Sequence, residues 1–292
     1  MFARSELSMQ PGEFARHVSG LVERREPFAI ATVTRTEGST LAKPGFKILV
    51  APTGTIVAGT LGGGCPEGPV VASALEAIER GEPRVLRVHL VDTEESIAGT
   101  ARETDPNEIW VQTNCGGTLE LYIEPLLPSR RLIVVGQGGR DDLEEALVHL
   151  GMRLGFEVIV VDPNPVLREA PHDLVRDSQV DVRRLGLGRH DSVIVLTKGE
   201  RDVAVLESLA GAPLGFVGLL ASRHRLAQDT EELVRRGVAP EFVRSLHAPI
   251  GLDIGAKTPE ELAIAILAEV IANHYGRSSP RGPAKSSDGA AA

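Results

Sequence analysis

The sequence predicts an α/β protein made of two domains: an N-terminal α+β domain and a C-terminal domain with a doubly wound parallel sheet. After residue 131, short apolar segments alternate with segments of helical periodicity, which is typical of a parallel sheet covered by helices on both faces. Before residue 125, strand-like segments surround a glycine-rich run that leads into one long helical segment. The two halves therefore follow different architectures.

Composition and charge limit the classes of protein to consider. The chain has 292 residues, of which 42% are hydrophobic, so two domains with well-formed cores are expected. Its formal net charge of −9, without a basic block, argues against a nucleic-acid partner. Two separated cysteines make no disulfide framework, residues 1–25 lack the apolar core of a signal peptide, and no apolar run is long enough to span a bilayer. We expect a soluble, cytoplasmic protein.

The N-terminal domain is predicted to contain two helices, at residues 11–25 and 66–80. Six segments rich in β-branched and other apolar residues are predicted as strands, at residues 28–34, 46–51, 55–58, 84–91, 109–112 and 118–124. The second and third of these form a hairpin around Pro52-Thr53-Gly54, which delivers the chain into the glycine run.

The glycine run reads Gly-Thr-Leu-Gly-Gly-Gly-Cys-Pro-Glu over residues 59–67. Gly62, Gly63 and Gly64 allow the backbone to approach a ligand closely. Pro66 and Glu67 are typical of the first turn of a helix, which places Cys65 at a helix N-terminus. The partial positive charge there favours a thiolate and also a bound anion. The alternative is a small buried cysteine beside an ordinary tight turn.

The second cysteine has similar surroundings. Cys115 follows Asn114 and precedes Gly116 and Gly117, and a strand-like segment comes next. Two cysteines that each lie beside permissive backbone suggest one shared site. The polar loop at residues 35–43 is either a wall of that site or a solvated turn.

The C-terminal domain is predicted to begin after a linker. Residues 125–131 hold two prolines and a pair of arginines, so we place the first domain at residues 1–128, the second at residues 129–276 and a disordered tail at residues 277–292. The predicted strands of the second domain are residues 131–136, 157–161, 180–183, 192–196 and 215–220. Its predicted helices are residues 142–154, 200–209, 223–236 and a capped closing helix that ends near residue 274.

The start of this domain follows the Rossmann-like pattern of strand, glycine turn, helix, strand and acid. Gly136 and Gly138 are candidate phosphate-binding residues, and Asp162 is a candidate ribose ligand. However, Asp141 occupies the place of a third glycine and Asp142 follows it, and carboxylates at this helix N-terminus would repel a pyrophosphate. Arg223, predicted on the same rim of the sheet, is a further candidate anion ligand.

Five segments together resemble the XdhC/CoxI family. They are residues 38–45, 61–67, 115–117, 218–223 and 247–260, and the resemblance extends over residues 11–275. The turn Gly138-Gly139-Arg140-Asp141-Asp142 departs from the Gly-x-Gly-His-Val-Ala that family members usually have.

The resemblance implies a function. Members of this family are maturation factors for xanthine dehydrogenase, carbon monoxide dehydrogenase and related molybdenum hydroxylases. The implied activity is that of a cofactor chaperone rather than a stand-alone enzyme: it binds molybdenum cofactor, as the mononucleotide or the cytidine dinucleotide, assists its sulfuration and hands it to the apoenzyme. Expected partners are an apo molybdenum hydroxylase, a cysteine desulfurase and a second copy of the chain in a homodimer.

Within that hypothesis, Cys65 contacts the molybdenum or carries labile sulfur, and Cys115 completes the site. The residues expected to hold the cofactor are Gly62, Gly63, Gly64, Glu67 and Gly116. Two alternatives stay open. One is an NAD(P)-dependent oxidoreductase that uses Gly136, Gly138 and Asp162, and the other is a non-catalytic scaffold in which both cysteines are packing residues.

Overall fold

A computed structural model describes residues 10–91, 105–113, 116–177 and 182–277 of the chain. The chain divides into two compact units, residues 1–128 and residues 129–292. Residues 278–292 of the predicted tail lie outside the described ranges. Within those ranges, no helix combines the length and the hydropathy needed to cross a bilayer.

The first unit is built on a six-stranded mixed sheet with two helices. Its strands are β1 (Phe28–Gly38), β2 (Lys47–Val50), β3 (Ile56–Thr60), β4 (Arg84–Val91), β5 (Glu108–Gln112) and β6 (Gly117–Leu126), and its helices are α1 (Pro11–Glu23) and α2 (Gly64–Arg80). The strand order is β3-β2-β1-β6-β4-β5. Neighbouring strands are antiparallel except for β4 and β5, which are parallel.

Alternation along the strands, interrupted in β1 by a register shift between Val33 and Arg35, gives this sheet two different faces. In β4, the side chains of Leu86, Val88 and Leu90 are buried in a core that also receives Val70 and Ala74 of α2. Each fully buried leucine contributes roughly 2 kcal/mol through removal of apolar surface from water. On the opposite face, a smaller apolar cluster packs under α1. Its members are Leu21, Phe28, Leu49 and Ala58, with Phe14, Val18, Ile30, Val57 and Leu126 at its margin.

The second unit is a five-stranded parallel sheet. Its strands are β7 (Arg131–Val135), β8 (Glu157–Val161), β9 (Asp173–Val175), β10 (Asp191–Val195) and β11 (Phe216–Leu219). Its α-helices are α3 (Asp142–Arg153), α4 (Asp202–Leu209), α5 (Arg223–Arg235), α6 (Pro240–Ser245) and α7 (Pro259–His274), and Val182–Leu185 forms a 3-10 turn. The strand order is β11-β10-β7-β8-β9, with every pair parallel.

This order is that of a doubly wound sheet, which confirms the fold class predicted for this half. Counted within the unit, the order from β9 to β11 is 3-2-1-4-5, so the direction of winding reverses between β7 and β10. Alternate strand residues enter two separate cores. One core lies under α3 and α7, and the other under α4, α5 and α6. The β7 segment Leu132-Ile133-Val134-Val135 has no exposed side chain because both of its faces are covered.

One strand of this unit was predicted wrongly. The third strand is Asp173–Val175, whereas Val182 and Arg183 of the predicted strand at 180–183 lie in the 3-10 turn and residues 180 and 181 lie outside the described ranges. Val182 is buried there in the core beneath α4, so its apolar character serves packing rather than strand pairing. The short helix α6 was not predicted.

Arg131 was predicted both as the end of the linker and as the start of a strand, and it is the first residue of β7. Its guanidinium is buried, donates from Nε to Asp191 Oδ1 at 2.8 Å, and donates to the carbonyl oxygens of Leu185 and Gly186 at 2.8 Å each. The bonded Asp191 carboxylate raises the pKa of Arg131 further above its ordinary value, against the opposing effect of burial. The chain between the two sheets is therefore limited to residues 127–130.

Candidate functional site

The glycine run enters α2 in the way the sequence indicates. The helix begins at Gly64, so Cys65 lies in its first turn, and Gly63 is the N-cap residue with no side chain to cap the free backbone N–H groups. The Cys65 side chain is outside what the structure describes. The first turn of α2 thus offers uncapped donors at the end of the helix that carries the positive partial charge.

Glu67 fixes the shape of this run. Its Oε1 accepts hydrogen bonds from Thr60 Oγ1 at 3.0 Å and from the Leu61 backbone N–H at 3.1 Å. Thr60 Oγ1 in turn accepts from the N–H of Gly62 at 3.0 Å. The contacts of Glu67 Oε1 are therefore with the loop itself, and they make Glu67 a residue that positions the glycines.

Gly62 and Gly117 approach the same short loop, residues 39–42. A Cβ on Gly62 would lie 3.0 Å from Ala42 N, and its φ of 88° already disfavours any other residue. A Cβ on Gly117 would lie 2.5 Å from Glu37 O and 2.8 Å from Thr40 Cγ2. The loop is therefore approached by the glycine run near Leu41 and Ala42 and by Gly117 near Ser39 and Thr40.

The loop between them is held in place by its own polar groups. Thr40 is buried and donates from Oγ1 to Ala42 O at 3.0 Å, and Lys43 Nζ donates to Thr40 O at 3.0 Å. Thr40 and Ala42 are buried, whereas Ser39 and Leu41 are exposed, so the loop as a wall of the site and the loop as a solvated turn both stay open. Asn114 and Cys115 lie outside the described residues, and a site shared by Cys115 and Cys65 stays a prediction.

In the second unit, Asp162 holds the glycine turn that follows β7. It is buried, its Oδ2 accepts from the N–H of Gly138 and its Oδ1 from the N–H of Asn164, both at 2.7 Å. A methyl group on Gly136 would collide with Asp162 Oδ2. Both carboxylate oxygens are thus engaged with backbone groups, an arrangement that disfavours the ribose contact expected from the sequence.

The N-terminus of α3 is acidic rather than open to an anion. Asp141 is its N-cap and accepts from the N–H groups of Leu143 at 3.0 Å and Glu144 at 3.4 Å. Asp141 also pairs with Lys198 Nζ at 2.7 Å. The cap occupies donors that a phosphate would use, and its charge opposes one.

Glu144, which the sequence analysis did not single out, is the most unusual side chain of this region. It is fully buried, and both carboxylate oxygens lack a hydrogen-bond partner in the part of the chain that the structure describes. Burial, and then the nearby charges of Asp162 and Asp141, raise the pKa of Glu144 to about 8, while Lys198 acts in the opposite direction. No sequence pattern indicates this, because an acid in the first turn of a helix is usually exposed.

At the end of β11, the arginine that forms an ion pair with a buried carboxylate is Arg225 rather than Arg223. Arg223 is the exposed first residue of α5. Arg225 Nε lies 3.1 Å from Oδ2 of the buried Asp202. The other carboxylate oxygen of Asp202, Oδ1, accepts from the N–H of Gly199 at 3.0 Å. The predicted role of Arg223 in holding an anion stays a prediction.

The segment after α6 is fixed to α7 by a histidine and a carboxylate. His247 Nδ1 lies 2.9 Å from Glu269 Oε1, and Glu269 Oε2 accepts from the N–H of Gly251 at 2.7 Å. The His247 ring stacks on Phe216, with 4.1 Å between ring centroids. Among the described residues there is no group of three or more His, Cys, Asp or Glu side chains that could hold a metal ion.

Two family models match the chain. One, described as the XdhC Rossmann domain, matches residues 132–270, and the other, described as the XdhC and CoxI family, matches residues 21–89.

Curated relatives and a solved structure are also similar. The chain is 30% identical over 257 residues to YqeB of Escherichia coli (strain K12), which covers 86% of this chain and 44% of that protein. It is 29% identical over 161 residues to a Bacillus subtilis (strain 168) protein named as a probable subunit of xanthine dehydrogenase, covering 53% of this chain and 46% of that protein. The chain thus spans less than half of either relative. A solved Bacillus halodurans structure, titled as a xanthine dehydrogenase, is 20% identical with a TM-score of 0.42, covering 94% of this chain and 98% of that one.

Proposed function

The chain belongs to the XdhC/CoxI family, and on that premise we propose that it is an accessory factor for a molybdenum hydroxylase of the xanthine dehydrogenase or carbon monoxide dehydrogenase type. In this role it binds molybdenum cofactor and assists its sulfuration and insertion into the apoenzyme. The name of the Bacillus subtilis relative, which refers to xanthine dehydrogenase, supports a client of this kind.

One observation carries the proposal: Gly62 and Gly117 both approach the loop at residues 39–42, and Cys65 lies in the first turn of the helix that begins two residues after Gly62. The two glycine segments are 55 residues apart in sequence, and in the folded chain Gly62 approaches Leu41 and Ala42 while Gly117 approaches Ser39 and Thr40. A cofactor bound at the start of α2 would therefore meet backbone from both cysteine-bearing segments.

The residues present fit molybdenum cofactor chemically. The cofactor carries a phosphate and supplies a soft metal held by dithiolene sulfur. The uncapped N–H groups at the start of α2 suit the phosphate, and a thiolate at Cys65 suits the soft metal centre. Glu67 keeps the glycine run in the shape that presents those donors.

The chain's own groups have separate tasks in this proposal. Gly63 and Gly64 hold the cofactor through backbone donors, whereas Gly62 donates its N–H to Thr60 Oγ1 and shapes the run. Cys65 contacts the metal or carries labile sulfur, and Cys115 with Gly116 completes the site. Cofactor binding by Gly136, Gly138 and Asp162 is not part of this assignment, because Asp162 is engaged with its own glycine turn. Arg223 stays a candidate anion ligand of the second unit.

The partners follow from the same role. An apo molybdenum hydroxylase receives the cofactor, a cysteine desulfurase supplies the sulfur, and a homodimer of this chain handles the transfer in the cytoplasm.

The test compares Cys65→Ala, Cys115→Ala and Thr53→Ala, the last in the exposed turn between β2 and β3. Molybdenum and pterin retained by the gently purified full chain, and activation of an apo hydroxylase, are measured for each. We expect Cys65→Ala to lower retained molybdenum by about tenfold or more, as loss of a metal ligand does, and Thr53→Ala to have no effect. Undiminished retention and activation in Cys65→Ala, with unchanged circular dichroism, would rule the proposal out.

A further inference from the structure

The face of the first sheet that lies opposite α2 carries two rows of polar side chains. Cross-strand register aligns Arg35, Glu120, Arg87 and Glu108 in one row and Glu37, Thr118, His89 and Trp110 in the next. On β4, β5 and β6 these residues alternate with residues of the core that α2 shares, such as Val88 and Leu119. The rows therefore belong to the solvent side of the sheet.

A hollow of about 280 Å³ lies within these rows. Thr118 is its central residue and is the shortest side chain in either row, with Glu37 in register on one side and His89 on the other. Small-molecule sites begin at roughly 300 Å³, so the hollow has room for a single ring system rather than a long ligand.

The formal charges of the side chains that line the hollow sum to zero, with His89 neutral. Arg87 bonds to Glu108 at 3.1 Å and to Glu120 at 3.3 Å, and Arg35 pairs with Glu37 at 2.8 Å. Two guanidinium groups and two carboxylates line the hollow itself. Such a lining does not select an anion or a cation. It suits a neutral ligand with donors on one edge and acceptors on another.

One wall of the hollow is a flat π-surface with an unsatisfied nitrogen. The His89 ring stacks on Trp110, with centroids 4.7 Å apart and planes at 17°. His89 Nδ1 lies 3.2 Å from Thr118 Oγ1, whereas the buried Nε2 has no hydrogen-bond partner within the described ranges, Glu108 Oε2 being 3.6 Å away. Because Nε2 itself is buried, what this wall offers a ligand is the aromatic ring of His89.

We propose that this hollow binds a planar ring with a 2-amino-4-oxopyrimidine edge, as found in a pterin or in guanine. The carboxylates of Glu37 and Glu120 accept from the amino and ring N–H groups of that edge, and Arg35 donates to its carbonyl oxygen. The ring lies against the wall formed by His89. Identifying the ring with the pterin of molybdenum cofactor rests on the proposed function.

The position of the hollow agrees with that identification. The register pair Glu37 and Thr118 is followed directly by the pair Gly38 and Gly117. A pterin in the hollow is therefore one row from the glycine turn that borders the loop at residues 39–42.

The experiment uses Trp110, the single tryptophan of the chain, as a reporter beside the hollow. Full-length protein is titrated with 6-hydroxymethylpterin, with GMP and with AMP, and tryptophan emission is corrected for absorption by the ligand. We expect saturable quenching by the pterin or GMP, with the tighter ligand identifying the source of the ring, and none by AMP, which lacks the 2-amino-4-oxo edge.

Variants on β6 supply the controls. Thr118→Phe fills the hollow, and Glu124→Phe introduces the same side chain at an exposed position of the same strand outside it. Glu120→Gln is compared with Glu124→Gln. We expect Thr118→Phe and Glu120→Gln to weaken ring binding by about tenfold or more, the loss of a hydrogen bond to a charged group, and both Glu124 variants to have no effect.

The outcomes separate this inference from the proposed function. Absence of saturable quenching, equal quenching by AMP, or binding that Thr118→Phe and Glu120→Gln leave intact would overturn the hollow as a ring site. Ring binding that persists when the full chain neither retains molybdenum nor activates a hydroxylase would support the hollow and contradict the proposed function.

Discussion

Glu144 combines features that rarely occur together in one side chain. It is fully buried beneath the turn that follows β7, it has no hydrogen-bond partner among the described residues, and it lies near the charges of Asp162 and Asp141. Ionisation in that position is opposed by loss of hydration and by like charge, so the neutral acid is the stable form at neutral pH. The same geometry requires glycine at position 136, where a Cβ would be 2.5 Å from Glu144 Oε1.

Replacing Glu144 with Gln should change how stability depends on pH. The folded-state pKa of about 8 lies above the ordinary value of 4.5, so between these pH values the folded protein keeps a proton that the unfolded chain has lost. The free energy of unfolding of the wild type therefore falls as pH rises, by at most about 1.4 kcal/mol per pH unit, and levels off above pH 8. Glu144→Gln lacks this slope and should be the more stable protein at pH 8.

Urea unfolding at pH 5, 6.5 and 8, followed by circular dichroism, measures this difference. Trp110 emission reports the first unit separately, because that unit holds the only tryptophan. Asp142→Asn is the matched control, since Asp142 is an exposed acid in the same helical turn. A gain in stability from Glu144→Gln that is equal at pH 5 and pH 8 would contradict the raised pKa.

At the scale of elements, the pair Arg131 and Asp191 ties the starts of two adjacent strands together. Arg131 opens β7 and Asp191 opens β10, the strands on either side of the winding reversal. Both side chains are buried, and Asp191 Oδ2 also accepts from the N–H of Gly188 at 2.7 Å. The guanidinium satisfies three acceptor groups that would otherwise be buried without a donor.

Arg131→Lys should therefore destabilise the second unit by about 2–3 kcal/mol, because a lysine ammonium keeps the charge next to Asp191 but cannot also donate to both loop carbonyls as the planar guanidinium does. Arg130→Lys makes the same substitution at the preceding residue, which lies over the Phe156 ring at 4.9 Å, and should cost about 1 kcal/mol or less. Urea denaturation of the three proteins supplies the comparison. Equal stability of Arg131→Lys and Arg130→Lys would show that the fork geometry has no importance.

At the scale of the whole molecule, a doubly wound sheet has its usual ligand crevice altered by acids. Ligands of such sheets bind where the winding reverses, here beside the turns after β7 and β10. In this chain Asp141 caps α3 and pairs with Lys198, Asp162 binds the glycine turn, and Arg201 donates to Gly136 O at 3.0 Å. The crevice is thus closed by contacts within the chain, and the fold alone does not imply a nicotinamide cofactor.

Titration of the full chain with NADH and NADPH, followed by nicotinamide fluorescence, should give no saturable binding. The physical reason is that the helix N-terminus carries Asp141 and Asp142 and both oxygens of Asp162 are engaged. A well-characterised nicotinamide-dependent dehydrogenase run in parallel verifies the assay. Stoichiometric binding with a dissociation constant near those of dehydrogenases would restore the oxidoreductase alternative.

Periodicity and turn chemistry alone determined the α/β class, the helix that starts at the glycine run and the doubly wound sheet. Apolar runs such as residues 131–135, and caps such as Thr258 before α7, act locally, so they can be read without knowing what packs against them. They also located Cys65 in the first turn of α2.

Tertiary structure alone decided which distant groups meet. Only the folded structure brings Gly62 and Gly117 to one loop, pairs Arg131 with Asp191, buries Glu144 and places the Asp162 carboxylate against the glycine turn. Side-chain type does not reveal burial or partners across 50 or more residues, because both depend on packing. Strand pairing likewise created the hollow over Thr118, whose neighbours come from three separate strands.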